Sequence, residues 1–81
     1  MRCEVLLFAQ VREAVGAGSV MLDLPDGATV GDALDSLGAM HEAIGAMRGR
    51  LAMAVNERYV QPQTVLREGD RIALIPPVSG G

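Results

Sequence analysis

Residues 19–37 read SVMLDLPDGATVGDALDSL, which places a strand, a turn and a helix in immediate succession. Apolar and polar residues alternate over residues 19–24, the pattern of a half-buried strand. Residues 25–27, Pro-Asp-Gly, indicate a turn. Thr29 stands in the N-cap position with Asp32 three residues later, as in a capping box. The apolar residues that follow have helical spacing: Val30, Ala33, Leu34 and Leu37.

Apolar segments on both sides of this unit predict the rest of the fold. Gly38 is predicted to end the long helix. A weaker helical stretch follows, with Met40, Ile44 and Met47 on one face. The strand at residues 2–8 is apolar on both faces, which is typical of a central strand. Further elements are predicted as follows: a short helix at 9–15 and strands at 51–55, 59–60 and 71–75.

The order of these elements predicts an α+β fold. Two short helices can cover only one face of a mixed sheet in a chain of 81 residues. A ubiquitin-like β-grasp fits this order, with the first and last strands parallel in the centre of the sheet. We assign residues 1–75 to this one domain and residues 76–81 to an extended C-terminal tail.

The composition excludes several classes of function. The chain has one cysteine, one histidine and seven basic residues, all of them arginine. A Cys/His zinc site needs about four ligands, so no metal site is predicted. A disulfide framework needs paired cysteines, and a Walker A loop or a Schiff-base enzyme needs a lysine. Cys3 is predicted to be a small buried residue, and His41 a surface histidine at a helix start.

Charge and hydropathy argue against nucleic-acid and membrane partners. The formal net charge is −3, whereas nucleic-acid-binding domains are normally basic. The longest apolar runs have about five residues, far short of the ~20 that span a bilayer. The N-terminal residues show no signal-peptide pattern, so a cytoplasmic protein is expected.

Residues 76–81, PPVSGG, are the strongest candidate for chemistry. Two prolines favour a stiff, extended exit from the sheet, and six extended residues reach about 20 Å. Glycines lack a Cβ, so the backbone of Gly80 and Gly81 can enter a narrow channel. The α-carboxylate of Gly81 is ionised at neutral pH, so it becomes an acyl donor only after activation, for example as an acyl-adenylate that a partner makes with ATP. The alternative is a frayed tail without function.

An exposed apolar patch is predicted on the sheet face that the helices leave uncovered. Phe8 and Ile75 lie at the ends of two strands, and Tyr59 is the other aromatic residue of the chain. Exposed apolar patches mark partner surfaces, and aromatic side chains are favoured anchors. Arg12, just after the first strand, can add a charged contact at the rim. The alternative is that these residues are all internal.

Three segments of the sequence resemble the small subunit of molybdopterin synthase, a ubiquitin-like sulfur carrier of molybdenum cofactor synthesis. They are residues 7–13 (LFAQVRE), residues 54–56 (AVN) and residues 66–81, where EGD is followed by PPVSGG. The resemblance extends over the whole chain and is weakest at residues 38–50.

The resemblance implies a mechanism that uses few residues of this chain. Gly81 would be adenylated by an activating enzyme of the ubiquitin-activating kind, which consumes ATP, and converted to a thiocarboxylate. The sulfur would pass to cyclic pyranopterin monophosphate in the active site of the large subunit and form the dithiolene of molybdopterin. The chain itself would hold no stable cofactor and would be a non-catalytic subunit.

The resemblance also implies how the chain meets its partner. The large subunit would form a 2:2 complex with it, and Val78, Ser79 and Gly80 would line the inserted tail. Relatives often carry a bulkier aromatic at the position of Ile75. The implied contact residues are those of the predicted patch and its rim: Phe8, Arg12, Tyr59 and Ile75.

Other functions remain open at this point. The chain can be a sulfur carrier of the thiamine or tRNA-thiolation type. It can be a ubiquitin-like modifier that is joined through Gly81 to lysines of other proteins, although without a lysine it cannot build lysine-linked chains on itself. It can also be a plain interaction domain, whose function would survive removal of Gly80 and Gly81.

Overall fold

The structure is a computed structural model that describes residues 1–77, and these residues form strands and helices. The strands are β1 (Arg2–Leu7), β2 (Ser19–Asp23), β3 (Ala52–Val55), β4 (Arg58–Tyr59) and β5 (Arg71–Ile75). The helices are α1 (Ala9–Val15), α2 (Val30–Met40) and α3 (Glu42–Met47), and a 3₁₀ turn (Arg48–Arg50) follows α3. The predicted elements are all present, with most ends within one residue of their expected positions.

The five strands form one mixed sheet in the order β2-β1-β5-β3-β4. β1 and β5 are parallel neighbours, with Val5 opposite Ile72, and every other pair is antiparallel. The first and last strands therefore lie side by side inside the sheet, which confirms the predicted β-grasp arrangement. Because β1 and β5 run in the same direction, the end of β1 and the C-terminal exit of β5 lie at the same end of the sheet.

One face of the sheet carries the core, and all three helices pack on it. Alternate residues of β1 and β5 point into this core, and Val5, Leu7, Ile72 and Leu74 are at most 1% exposed. The helices contribute Val11 from α1, Ile44 from α3 and the four apolar residues of α2 that were predicted from their helical spacing. Helices on a single face of the sheet are thus confirmed. Among residues 1–77, no helix is both long enough and apolar enough to cross a membrane.

Helix α2 begins as predicted and ends later than predicted. The amide of Asp32 donates to Thr29 Oγ1 (3.2 Å), and the amide of Thr29 donates to Asp32 Oδ2 (2.9 Å), which completes the capping box. The prediction that Gly38 ends the helix is wrong, because α2 continues to Met40. Met40 is also 57% exposed, so it does not share the buried face of Ile44.

The close approach of α2 and α3 explains the glycine inside α2. A Cβ built on Gly38 would lie 3.3 Å from the Cα of Gly45, closer than the usual contact between packed carbon atoms. A Cβ on Gly45 would meet the carbonyl oxygen of Gly38 at 3.5 Å, an ordinary contact. Gly38 is therefore present for helix packing and not as a C-cap.

This asymmetry predicts different effects for the two glycine-to-alanine variants. Alanine has the higher helix propensity, so Gly45→Ala is expected to raise the free energy of unfolding by about 0.5–1 kcal/mol. Gly38→Ala is expected to gain nothing, because the crowding at Gly45 offsets the propensity, and Gly38→Val is expected to lose about 1–3 kcal/mol. Urea unfolding followed by circular dichroism measures all three. Equal stabilisation by both alanines would show that the helices do not restrict Gly38.

Candidate functional site

The sheet face opposite the helices presents a row of side chains across four strands. Leu6 pairs in register with Ala73, Ala73 with Ala54, and Ala54 with Tyr59. Because side chains alternate along a strand, this row points away from the core residues Val5 and Leu7. Two alanines in the middle, with larger side chains on both sides, make the centre of this face concave.

These residues line a groove of about 750 Å³, which we call the sheet groove. At its apolar end it is bounded by Phe8 and Ile75, and Tyr59 closes the β4 side. Phe8 is 44% exposed and Tyr59 is 75% exposed, so both aromatic rings are available to a partner. The structure thus brings three of the four predicted contact residues together on one surface. Their role in binding stays a prediction.

The fourth predicted contact residue, Arg12, lies outside the sheet groove. It lines a separate shallow depression with Glu13 and the loop of residues 16–18. A Cβ on Gly18 would lie 3.4 Å from Arg12 Cζ, so the guanidinium lies across this glycine. Arg12 is exposed, and α1 starts directly after Phe8. The position of Arg12 is therefore next to the groove and not part of its lining.

The other end of the sheet groove is polar, a feature that the sequence reasoning missed. Arg71 Nε lies 3.3 Å from Glu4 Oε1, an ion pair between the parallel strands β1 and β5. Asn56 donates through Nδ2 to Asp70 Oδ1 (2.9 Å) and accepts the amide of Arg71 on Oδ1 (3.1 Å). Glu57 lines the groove beside them. The opposite charges of Glu4 and Arg71 indicate an ion pair only once the strand register is known.

The chain leaves the sheet at the apolar end of this groove. Pro76 is buried and Pro77 is exposed, and both line a cleft of about 250 Å³ with Gln10, Met47 and Arg50. The predicted functional residues of the tail lie outside the described residues: Val78, Ser79, Gly80 and Gly81.

The fold defines the surroundings of Cys3 and His41, the one cysteine and the one histidine of the sequence. Cys3 is fully buried, as predicted, and its Sγ donates to the carbonyl oxygen of Arg67 at 3.6 Å. Burial, with the carboxylates of Asp70 and Glu68 nearby, raises the pKa of the Cys3 thiol, which disfavours the nucleophilic thiolate. His41 stands between α2 and α3, and its backbone amide donates to Leu37 O at 2.7 Å.

The sheet order, the parallel β1–β5 pair and the helices on one face define a ubiquitin-like β-grasp protein. The chain belongs to the ThiS family, whose model matches residues 5–81. The match includes both the apolar end of the sheet groove and the C-terminal glycines.

Known proteins resemble the chain over its full length. It is 40% identical to the molybdopterin synthase sulfur carrier subunit of Chlamydomonas reinhardtii, with 100% of both chains covered. Among solved structures, small archaeal modifier protein 1 (SAMP1) of Haloferax volcanii is 35% identical, with a TM-score of 0.89 and 100% of both chains covered. A protein–protein complex of subunits 1 and 2 of the molybdopterin-converting factor of Helicobacter pylori 26695 contains a chain with 26% identity and a TM-score of 0.73, again with 100% of both chains covered.

Proposed function

We propose that the chain is the sulfur carrier subunit of a molybdopterin synthase. The observation that carries this proposal is the full-length match to the Chlamydomonas reinhardtii sulfur carrier subunit, in a chain that ends in Gly80-Gly81. Membership of the ThiS family supports it. The fold supports it as well, because β5 leads directly from the sheet groove to the C-terminal segment.

In the proposed loading reaction the Gly81 carboxyl is the only group of this chain that reacts. A carboxylate oxygen attacks the α-phosphorus of ATP in a ubiquitin-activating-like adenylyltransferase, an oxygen–phosphorus bond forms, and pyrophosphate leaves. A hydrosulfide sulfur then attacks the activated carbonyl carbon, AMP leaves, and a thiocarboxylate results. Neither step needs a nucleophile from this chain, which is consistent with the burial of Cys3.

In the proposed transfer reaction the large subunit binds the sheet groove and receives the tail. Phe8, Tyr59 and Ile75 form the apolar contact, and Arg12 lies at its rim. Val78, Ser79 and Gly80 line the inserted tail. The thiocarboxylate sulfur forms a bond to a carbon of cyclic pyranopterin monophosphate as a carbon–oxygen bond at that carbon breaks and the oxygen leaves. Water then hydrolyses the acyl–sulfur bond, which restores the Gly81 carboxylate and leaves the sulfur on the pterin, so two loaded chains supply the two sulfurs of the dithiolene. The chain acts as a non-catalytic subunit in a 2:2 complex, and ATP is consumed only by the activating partner.

Intact-mass spectrometry tests the proposal directly. After incubation with a competent adenylyltransferase, ATP and sulfide, the protein is expected to gain about 16 Da at its C-terminus, because one sulfur replaces one oxygen. Reactions without ATP are the control. If the mass stays unchanged while the same enzyme loads another carrier, the proposed function is wrong.

The likeness to SAMP1 supports a second candidate, a protein modifier that is attached through Gly81 to lysines of other proteins. The two functions share the adenylation step and differ in the acceptor. Peptide mapping of cell extract separates them, since an isopeptide bond between Gly81 and a lysine is expected only from a modifier. Complementation of strains that lack molybdopterin or thiamine synthesis separates the molybdopterin role from that of another sulfur carrier.

A further inference from the structure

The turn between β3 and β4 holds a glutamate in a conformation that favours glycine. Val55 pairs with Arg58, so Asn56 and Glu57 form a two-residue hairpin turn. Their φ angles are 50° and 71°, both positive, as a type I′ turn requires. Glycine is the preferred residue at the second of these positions, and a side chain there destabilises the turn.

Both positive φ angles serve the hairpin turn itself, but only the Asn56 side chain adds hydrogen bonds to it within the described chain. The Asn56 side chain bonds both Asp70 and the amide of Arg71, which ties the turn to β5. Among residues 1–77 the Glu57 carboxylate makes no hydrogen bond and no ion pair. Residues other than glycine at positive φ cluster at binding and active sites.

The location of Glu57 indicates what its carboxylate can bind. It lines the polar end of the sheet groove, where Arg71 is already paired with Glu4. The three carboxylates of Glu4, Glu57 and Asp70 and the one guanidinium of Arg71 leave two negative charges in excess at this end. The neighbouring Arg58 does not neutralise this excess, since its register partner Val55 packs against the core and side chains at paired positions share a face.

We propose that Glu57 is a contact residue for the large subunit, through an arginine or lysine that the large subunit places at the polar end of the sheet groove. This inference rests on the proposed function, because it takes the large subunit as the occupant of the groove. The docked segment then carries an apolar side chain over Ala54 and Ala73, with a basic side chain next to it. The charge excess at Glu57 matches that basic group.

Two variants of Glu57 separate binding from stability. Glu57→Gln removes the charge and is expected to weaken binding of the large subunit by up to about fivefold, the upper end of the range for a solvent-exposed ion pair. The difference should shrink at 1 M salt, where the Debye length is about 3 Å. Glu57→Gly is expected to weaken binding by a similar factor while raising the Tm by about 4 °C, because it relieves the positive φ.

The matched control is Glu42→Gln, which removes an exposed carboxylate from α3 on the opposite side of the sheet. It is expected to bind as the wild type does. Isothermal titration calorimetry with the large subunit of the same organism gives all the affinities. Equal affinities of the wild type and Glu57→Gln overturn this inference alone. If the wild type fails to bind the large subunit, both this inference and the proposed function are overturned.

Discussion

A variant that lacks Gly80 and Gly81 is expected to lose sulfur transfer by at least about 1,000-fold, since the acyl group that carries the sulfur is missing and no side chain can replace it. Its folding is expected to be unchanged, because the deletion removes no side chain and keeps all the core residues described within residues 1–77. Binding of the large subunit is expected to persist through the sheet groove. The predicted product is a stable complex without activity.

Three measurements on the truncated chain decide between the candidate functions. Thermal unfolding tests the fold, calorimetry with the large subunit tests binding, and molybdopterin formation from the precursor tests transfer. A chain with one alanine added after Gly81 is the matched control, since it keeps both glycines and moves the terminal carboxyl. It is expected to be inactive as well. Activity in the truncated chain would identify a plain interaction domain and contradict the carrier.

Features that depend on neighbouring residues could be predicted from the sequence. The capping box needs only Thr29 and Asp32, and the structure contains it. The bounds of β5 are the predicted ones, because a turn precedes Arg71 and two prolines follow Ile75. The parallel pairing of β1 with β5 was predicted because the order of elements fits a β-grasp fold, in which the first and last strands are parallel, and the structure confirms it.

Features that depend on distant contacts could not be predicted in the same way. Gly38 has the local pattern of a helix end, and only its contact with Gly45 shows that it lies inside α2. Glu4 and Arg71 are far apart in sequence, so their ion pair follows only from the strand register. Glu57 looked like an ordinary turn residue until its φ of 71° was known. Arg12 is close to Phe8 in sequence, yet its position on α1 leaves it outside the lining of the sheet groove.

The second large effect is expected from a substitution on the concave floor of the sheet groove, which should weaken binding of the large subunit. Ala73 is half-buried between Leu6 and Ala54, in the middle of the row that a partner must cover. In Ala73→Arg the long side chain would fill the groove and place a charge on its apolar floor. We expect the affinity for the large subunit to fall by at least about 100-fold, the loss typical of a disrupted interface centre.

The same substitution should leave the fold intact, because an arginine on an open sheet face can extend its guanidinium into water. We expect the free energy of unfolding to change by less than about 1 kcal/mol. The matched control is Ala39→Arg, which adds the same side chain at an exposed position of α2 on the opposite side of the molecule. Calorimetry with the large subunit gives the affinity of each variant, and urea unfolding gives its free energy of unfolding.

The same variant tests whether the large subunit and the activating enzyme share the sheet groove. If the activating enzyme contacts a different surface, Ala73→Arg should still be adenylated at Gly81, and intact-mass spectrometry measures this loading. Tight binding of Ala73→Arg to the large subunit would place the docking surface outside the sheet groove.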